Sequence, residues 1–121
     1  MENEYEKIMA PEIERAVLGA MLIDDEAIVT AIELITSETF YKPVNQTIFR
    51  SLTDLYDKNL PIDQLTVIDH LNQMGQLDAV GGEVAIAALM SEATTSANIE
   101  YHCTILKQKE QLRKLVLLSV K

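Results

Sequence analysis

NIEYHCTILKQKEQLRKLVLLSVK, Asn98 to Lys121, runs for 24 residues without a Gly or a Pro to interrupt it. Its last ten residues, LRKLVLLSVK, hold six aliphatic side chains. Tyr101, Ile105, Gln108, Leu112, Leu115 and Ser119 follow a four-three spacing, the seam of a paired helix. Val116, Leu117, Leu118 and Val120 widen the apolar surface beyond one stripe. A helix of this length is ~36 Å long, more than the width of a small body. The spacing therefore predicts a projecting rod whose apolar end needs a partner helix. The residues expected at that interface are Ile105, Leu112, Leu115 and Leu118, each worth about 1–3 kcal/mol on burial. The expected division is a flexible leader over 1–10, a helical globular body over 11–95, and a projecting helix over 96–121.

The body that carries this rod reads as all-α, with about five helices. The chain of 121 residues is large enough for one core, and its 48% hydrophobic content fits a folded protein. Aromatics are scarce at 5% and Trp is absent, so the core must be aliphatic. Pro11 suits the first turn of a helix, and Glu12 and Glu14 suit its positive end. Ile13, Ala16, Val17, Ala20 and Met21 carry that helix to about Ile23. Asp24 is placed to cap DDEAIVTAIELI, and TSETFYKP then breaks the pattern, with Phe40 and Tyr41 expected as anchors in the core. Val44, Ile48, Leu52, Leu55 and Tyr56 stripe a third helix from Pro43 to near Asn59. Asp63 caps a fourth, with Leu65, Ile68 and Leu71 on one face and Gly75 as its left-handed stop. Gly81 and Gly82 form a tight turn before EVAIAALMSEA, and Ser96 or Thr95 is the expected cap of the last helix. The remaining Tyr and Met side chains are assigned to the core by default.

Charge is unevenly spread. Met1 to Ala97 holds 17 acidic and 5 basic residues, a balance of −12, whereas Asn98 to Lys121 holds 2 and 5, a balance of +3. An acidic body repels phosphate backbones and is a poor direct binder of nucleic acid. The basic residues of the tail read as a solvated helix face that also favours acidic partners. Cys103 is the only cysteine, which excludes an internal disulfide and fits a reducing compartment. The acidic amino terminus lacks a signal-peptide pattern, and no apolar run reaches the ~20 residues of a membrane span. A cytoplasmic location is expected.

No catalytic constellation is legible. The four glycines, Gly19, Gly75, Gly81 and Gly82, form neither a P-loop nor a dinucleotide fingerprint. His102 adjoins Cys103, but helix neighbours diverge, and no HxxxH or CxxC spacing supports a metal. Asp24, Asp25 and Glu26 are explained by a helix start. The expectation is a chain without catalytic, cofactor-binding or metal residues.

Four stretches taken together add a family. ERAVLGAMLIDDEAI (14–28), FYKPVNQTIFRSLTDLYDKNLPID (40–63), LTVIDHLNQMGQLDAVGG (65–82) and TSANIEYHCTILKQKEQLRKL (95–115) resemble, in order, the amino-terminal domain of DnaB-type replicative DNA helicases. The resemblance implies a helical bundle followed by a helical hairpin, with 96–121 as its first arm and the second arm expected beyond the sequence. It implies six such domains as a collar of three dimers above a RecA-like motor, which holds ATP and Mg and unwinds DNA 5′→3′. Primase and a helicase loader are the implied partners. Departures are Arg15 in place of a usual Gln, Ala93-Thr94-Thr95 without the family's proline, and His102 in place of a common tyrosine. They leave a bacterial or a phage-encoded relative equally open. The alternative is the helicase-binding C-terminal domain of a primase, against which Gly81–Gly82 and Asn98-Ile99-Glu100-Tyr101 favour the helicase.

Overall fold

The computed structural model describes residues 8–120, so the first seven residues of the expected leader lie outside the described residues. Helices α1 (Pro11–Ile23), α2 (Asp25–Leu34), α3 (Pro43–Asp57), α4 (Gln64–Gln73), α5 (Gly82–Glu92) and α6 (Ile99–Val120) follow in order, with a 3₁₀ turn at Ser37–Thr39. There is no strand among the described residues. The elements start and stop where local chemistry demands. Asp24 ends α1, and its carboxylate accepts the Glu26 N–H at 2.9 Å to open α2. Asp63 accepts the Thr66 N–H at 2.8 Å to open α4. Gly75 (φ 71°) closes α4, and at Gly81 (φ 104°) the turn into α5 needs the left-handed region that a side chain resists.

Helix α1 is the centre of the molecule. It packs against α2, α3, α5 and α6, and Val17, Leu18, Ala20, Met21 and Leu22 are buried on several sides of it. This close approach depends on Gly19, where a β-carbon would lie 2.7 Å from the Leu89 carbonyl oxygen and 2.8 Å from the Ala93 Cβ of the α5 end. Ile48, Phe49, Leu52 and Leu55 of α3, Val67 and Leu71 of α4, and Ile86 and Leu89 of α5 complete one aliphatic core. Phe40 and Phe49 are its aromatic pair, with ring centroids 5.2 Å apart. Cys103 and Leu106 of α6 belong to the same core.

Several positions depart from the expected faces. Phe40 is fully buried, but Tyr41 lies on the surface, because the backbone after Phe40 is extended and successive side chains point opposite ways. Leu65 is 81% exposed while Leu71 is buried. Residues three apart drift about 60° round a helix, so Leu65 stands about 120° from Leu71, and α4 offers Val67 and Leu71 instead. Val44 and Tyr56 flank the α3 stripe in solvent, and Met74 and Tyr101 are exposed too. Neither Ser96 nor Thr95 caps α6: the Ser96 hydroxyl donates to Asp24 at 2.5 Å, and Thr95 Oγ1 accepts the Ala97 N–H at 3.1 Å.

The contact at Gly19 gives a stability test. Gly19→Ala improves helix propensity by about 1 kcal/mol but forces α1 and α5 apart, a larger penalty of about 1–3 kcal/mol. Urea unfolding is expected to show a net loss of about 1–2 kcal/mol; equal or greater stability would contradict this packing.

Candidate docking surface on the last helix

Between α2 and α3 the chain turns through an elbow, residues 36–43, and two buried acids grip it. Glu14 is almost wholly buried. Its carboxylate accepts the Tyr41 N–H at 2.7 Å, the Lys42 N–H at 3.4 Å and the Asn45 side-chain amide at 2.8 Å. Rather than serving its own helix start, as expected, Glu14 reaches across to the N-terminal end of α3, where free N–H groups await an anion. The expectation failed because Glu14 lies on the Val17–Leu18–Met21 stripe, which turns inward.

Glu110 of α6 grips the elbow from the other side. It is buried, and Thr39 Oγ1 donates to it at 2.8 Å. Lys114 Nζ stands 3.0 Å from one carboxylate oxygen and Lys107 Nζ 3.6 Å from the other. Burial favours the neutral acid, yet the Thr39 hydroxyl, Lys114 and Lys107 outweigh it and hold Glu110 below its ordinary value of 4.5. One turn on, Arg113 donates to the carbonyls of Ile8 at 2.9 Å and Thr39 at 2.7 Å. Its guanidinium carbon lies 5.6 Å from the Tyr41 ring centroid, a cation–π contact. The tail cations are therefore not merely a solvated face: Arg113, Lys107 and Lys114 serve the junction between helix and body.

Beyond that junction α6 has no support from the described residues. Ile99, Cys103, Leu106, Glu110 and Arg113 form a four-three series facing the body, and Leu106 is 1% exposed. Leu117 continues the same face two turns past Glu110, yet is 67% exposed. Of the four expected interface residues, Ile105 is half-buried, Leu112 exposed, Leu115 62% exposed and Leu118 66% exposed. They share neither one environment nor one narrow stripe, since Leu118 stands about 140° round α6 from Ile105. The last two turns are apolar on nearly every side, a pattern that belongs to a helix covered on nearly every side.

One further polar cluster, between α3 and α4, is structural. Ser51 Oγ lies 2.7 Å from His70 Nδ1, and Asp54 Oδ2 lies 2.7 Å from Nε2. This resembles a catalytic triad only in composition, since Ser51, on the buried side of α3, is fully buried and no substrate atom can reach it. The trio ties α4 to α3. Lys58 and then His70 hold Asp54 below the ordinary carboxylate range. Burial pushes the Cys103 thiol up to about 11, which leaves it unreactive. Among the described residues no three His, Cys, Asp or Glu side chains converge as metal ligands. No described helix is long and apolar enough to cross a membrane.

A bundle centred on α1, a carboxylate-gripped elbow and a long last helix make a specific combination. The family described as DnaB-like helicase N terminal domain matches residues 6–108. The chain belongs to this DnaB-like family. A replicative DNA helicase DnaB of Rhodothermus marinus is 41% identical over 107 residues, covering 88% of this chain and 11% of the relative. The DnaB helicase of Geobacillus stearothermophilus is 37% identical over 105 residues, covering 87% of this chain and 23% of the relative. The chain thus spans between about a tenth and a quarter of these relatives' length. The crystal structure of the N-terminal domain of DnaB helicase from Mycobacterium tuberculosis superposes with a TM-score of 0.90 at 33% identity, covering 93% of this chain and 82% of that one. An N-terminal domain of the Helicobacter pylori DnaB helicase, described together with its interactions with primase, shares the fold at a TM-score of 0.80 and 23% identity, covering 98% of this chain and 93% of that one. Between the helicase and primase readings, the DnaB match selects the helicase. Arg15 pairs with Glu92 across α1 and the end of α5.

Glu110, Thr39 and Arg113 were not singled out from the sequence, and Glu14 was read only as a helix-start charge. A signal existed for both acids, since each occupies the phase of an apolar stripe. Glu110 also gives a pH test. Its acidity in the folded protein is stronger than in the unfolded chain, so its contribution is present above pH 4.5 and lost as pH falls below it. Glu110→Gln is expected to lower stability near neutrality and to flatten the acid limb of the urea-midpoint profile between roughly pH 5 and pH 3. A variant whose acid limb is as steep as the parent's would remove Glu110 from this role.

Proposed function

We propose that this domain is a non-catalytic collar element of a hexameric replicative DNA helicase, joining subunits and docking partners. One observation carries the reading: on a single face of α6, Leu106 is 1% exposed and Leu117 is 67% exposed. The helix spends its first half as part of the body and its second half as apolar surface that water disfavours. Covering Leu112, Leu115 and Leu118 with the second arm of a hairpin and a neighbouring subunit stabilises the assembly by about 1–3 kcal/mol per side chain. In this arrangement the collar is a trimer of dimers above the motor. ATP, Mg and 5′→3′ unwinding belong to that motor, and DNA is engaged there rather than by the collar. The acidity of the body, with a balance of −12 over Met1–Ala97, supports the same division of labour. Primase docks on the collar and a helicase loader engages nearby. The description of the Helicobacter pylori domain with primase supports the first of these partners.

In the complete gene product, Leu112→Asp combined with Leu115→Asp places two carboxylates in the apolar contact. Sedimentation velocity is expected to show the hexamer giving way to smaller species, with association weakened about 30-fold or more. A variant as oligomeric as the parent would contradict the proposed pairing.

A further inference from the structure

A second unpartnered surface lies away from α6, along the outer seam between α2 and α3. Two depressions of about 270 and about 280 Å³ lie roughly one helical turn apart along it. Ile32, Ile35 and Phe49 line one, with Ile28, Val29, Tyr56 and Leu60 lining the other. Residues 25–29 share a depression with 56–62, and residues 32–37 share one with 49–53, so the two walls run in opposite senses. From Asp25 to Ile35 the seam is ~15 Å long, about three turns of helix. Val29, Tyr56 and Leu60 are all exposed there.

Charge decides what fits it. Asp25, Glu26, Glu33 and Asp57 stand on or beside the lining positions, all exposed. Among the described residues none of the four has an ion-pair partner. Arg50 is the one basic side chain lining the seam, and the nearby Lys58 is held by Asp54 at 3.0 Å. We propose that this groove docks a cationic amphipathic helix of a partner protein, its apolar face seated between α2 and α3 and its lysines or arginines against the carboxylates. A third helix is the natural occupant, because two helices side by side present a groove that accepts the ridge of another. An extended strand is not, since both walls spend their backbone N–H and C=O groups internally. Nucleic acid meets four carboxylates, and a second acidic body brings like charge, whereas a basic partner gains both attraction and orientation. The groove contains no residue of α6, so its occupancy is independent of the collar reading and separable from α6 self-association.

The test uses the uniformly ¹⁵N-labelled chain and an acetylated 18-residue helical peptide bearing leucines at three- and four-residue spacing flanked by lysines. A second peptide has every lysine replaced by glutamate. Titration is expected to shift the amides of Val29, Thr53 and Tyr56 saturably, with the glutamate peptide at least about tenfold weaker. Val29→Arg with Thr53→Arg fills the groove and reverses its charge, and is expected to lower lysine-peptide affinity at least about tenfold. Glu33→Lys with Asp57→Lys, both at solvent-exposed positions, is expected to lose affinity similarly while leaving the melting temperature unchanged. The proposal is overturned by no saturable shift up to about 1 mM peptide. It is equally overturned by equal binding of both peptides, by undiminished affinity in the second variant, or by shifts confined to Leu115–Leu118.

Discussion

Where α6 crosses the elbow, Glu110 and Arg113 tie it to the body through a hydroxyl, three backbone carbonyls and the face of Tyr41. On the body-facing side of α6, Cys103 and Leu106 before that junction are core, and Leu117 beyond it is surface. The constraint is directional. Arg113 presents a planar fork of donors, so the carbonyls of Ile8, Glu38 and Thr39 fix its angle as well as its position. The last two turns of the helix leave the body on a trajectory set by those bonds. An apolar contact alone would let the helix roll about its own axis.

The same elbow explains why this small domain keeps two buried carboxylates. Residues 36–43 contain exposed backbone groups that a continuous helix would satisfy internally. Glu14 accepts from the N–H side of the elbow, while Glu110 accepts from its Thr39 hydroxyl and Arg113 donates to its carbonyls. Helices from opposite ends of the sequence therefore meet at one connection. Such groups are costly to strip of a single partner, because an unpaired buried charge remains. The elbow also fixes α3 against α2, and so shapes the outer groove along their seam.

The fold was largely legible because its boundaries are chemical. Asp24, Asp63, Pro11, Pro43, Gly75 and Gly81 each mark a helix end by capping, ring geometry or a left-handed turn, and each lies where local reasoning put it. Faces were less legible than ends. Leu65 and Leu71 both look apolar in sequence, and only the neighbours of α4 decide which is inside. Tyr41 failed for a related reason, since an extended connection sends neighbouring side chains to opposite sides. The apolar end of α6 was visible from its excess of apolar residues, but its division from the body at Glu110 was not. Reading that point requires knowing how far the body reaches along the helix, which is a tertiary quantity. Four stretches in family order supplied the identity that periodicity could not.

The domain therefore presents two surfaces of different character. The end of α6 is apolar on nearly every side and demands cover, whereas the α2–α3 groove is a narrow apolar floor between carboxylates and selects by charge. The account as a whole rests on the change of environment along α6. Hydrogen–deuterium exchange of the isolated chain, repeated on the assembled complete gene product, measures it directly. Amides of residues 103–113 are expected to exchange with the core, those of 115–119 at least about a hundredfold faster, and only the latter to gain protection on assembly. Uniform protection along α6 in the isolated chain, or an end that stays equally labile in the assembly, would contradict it.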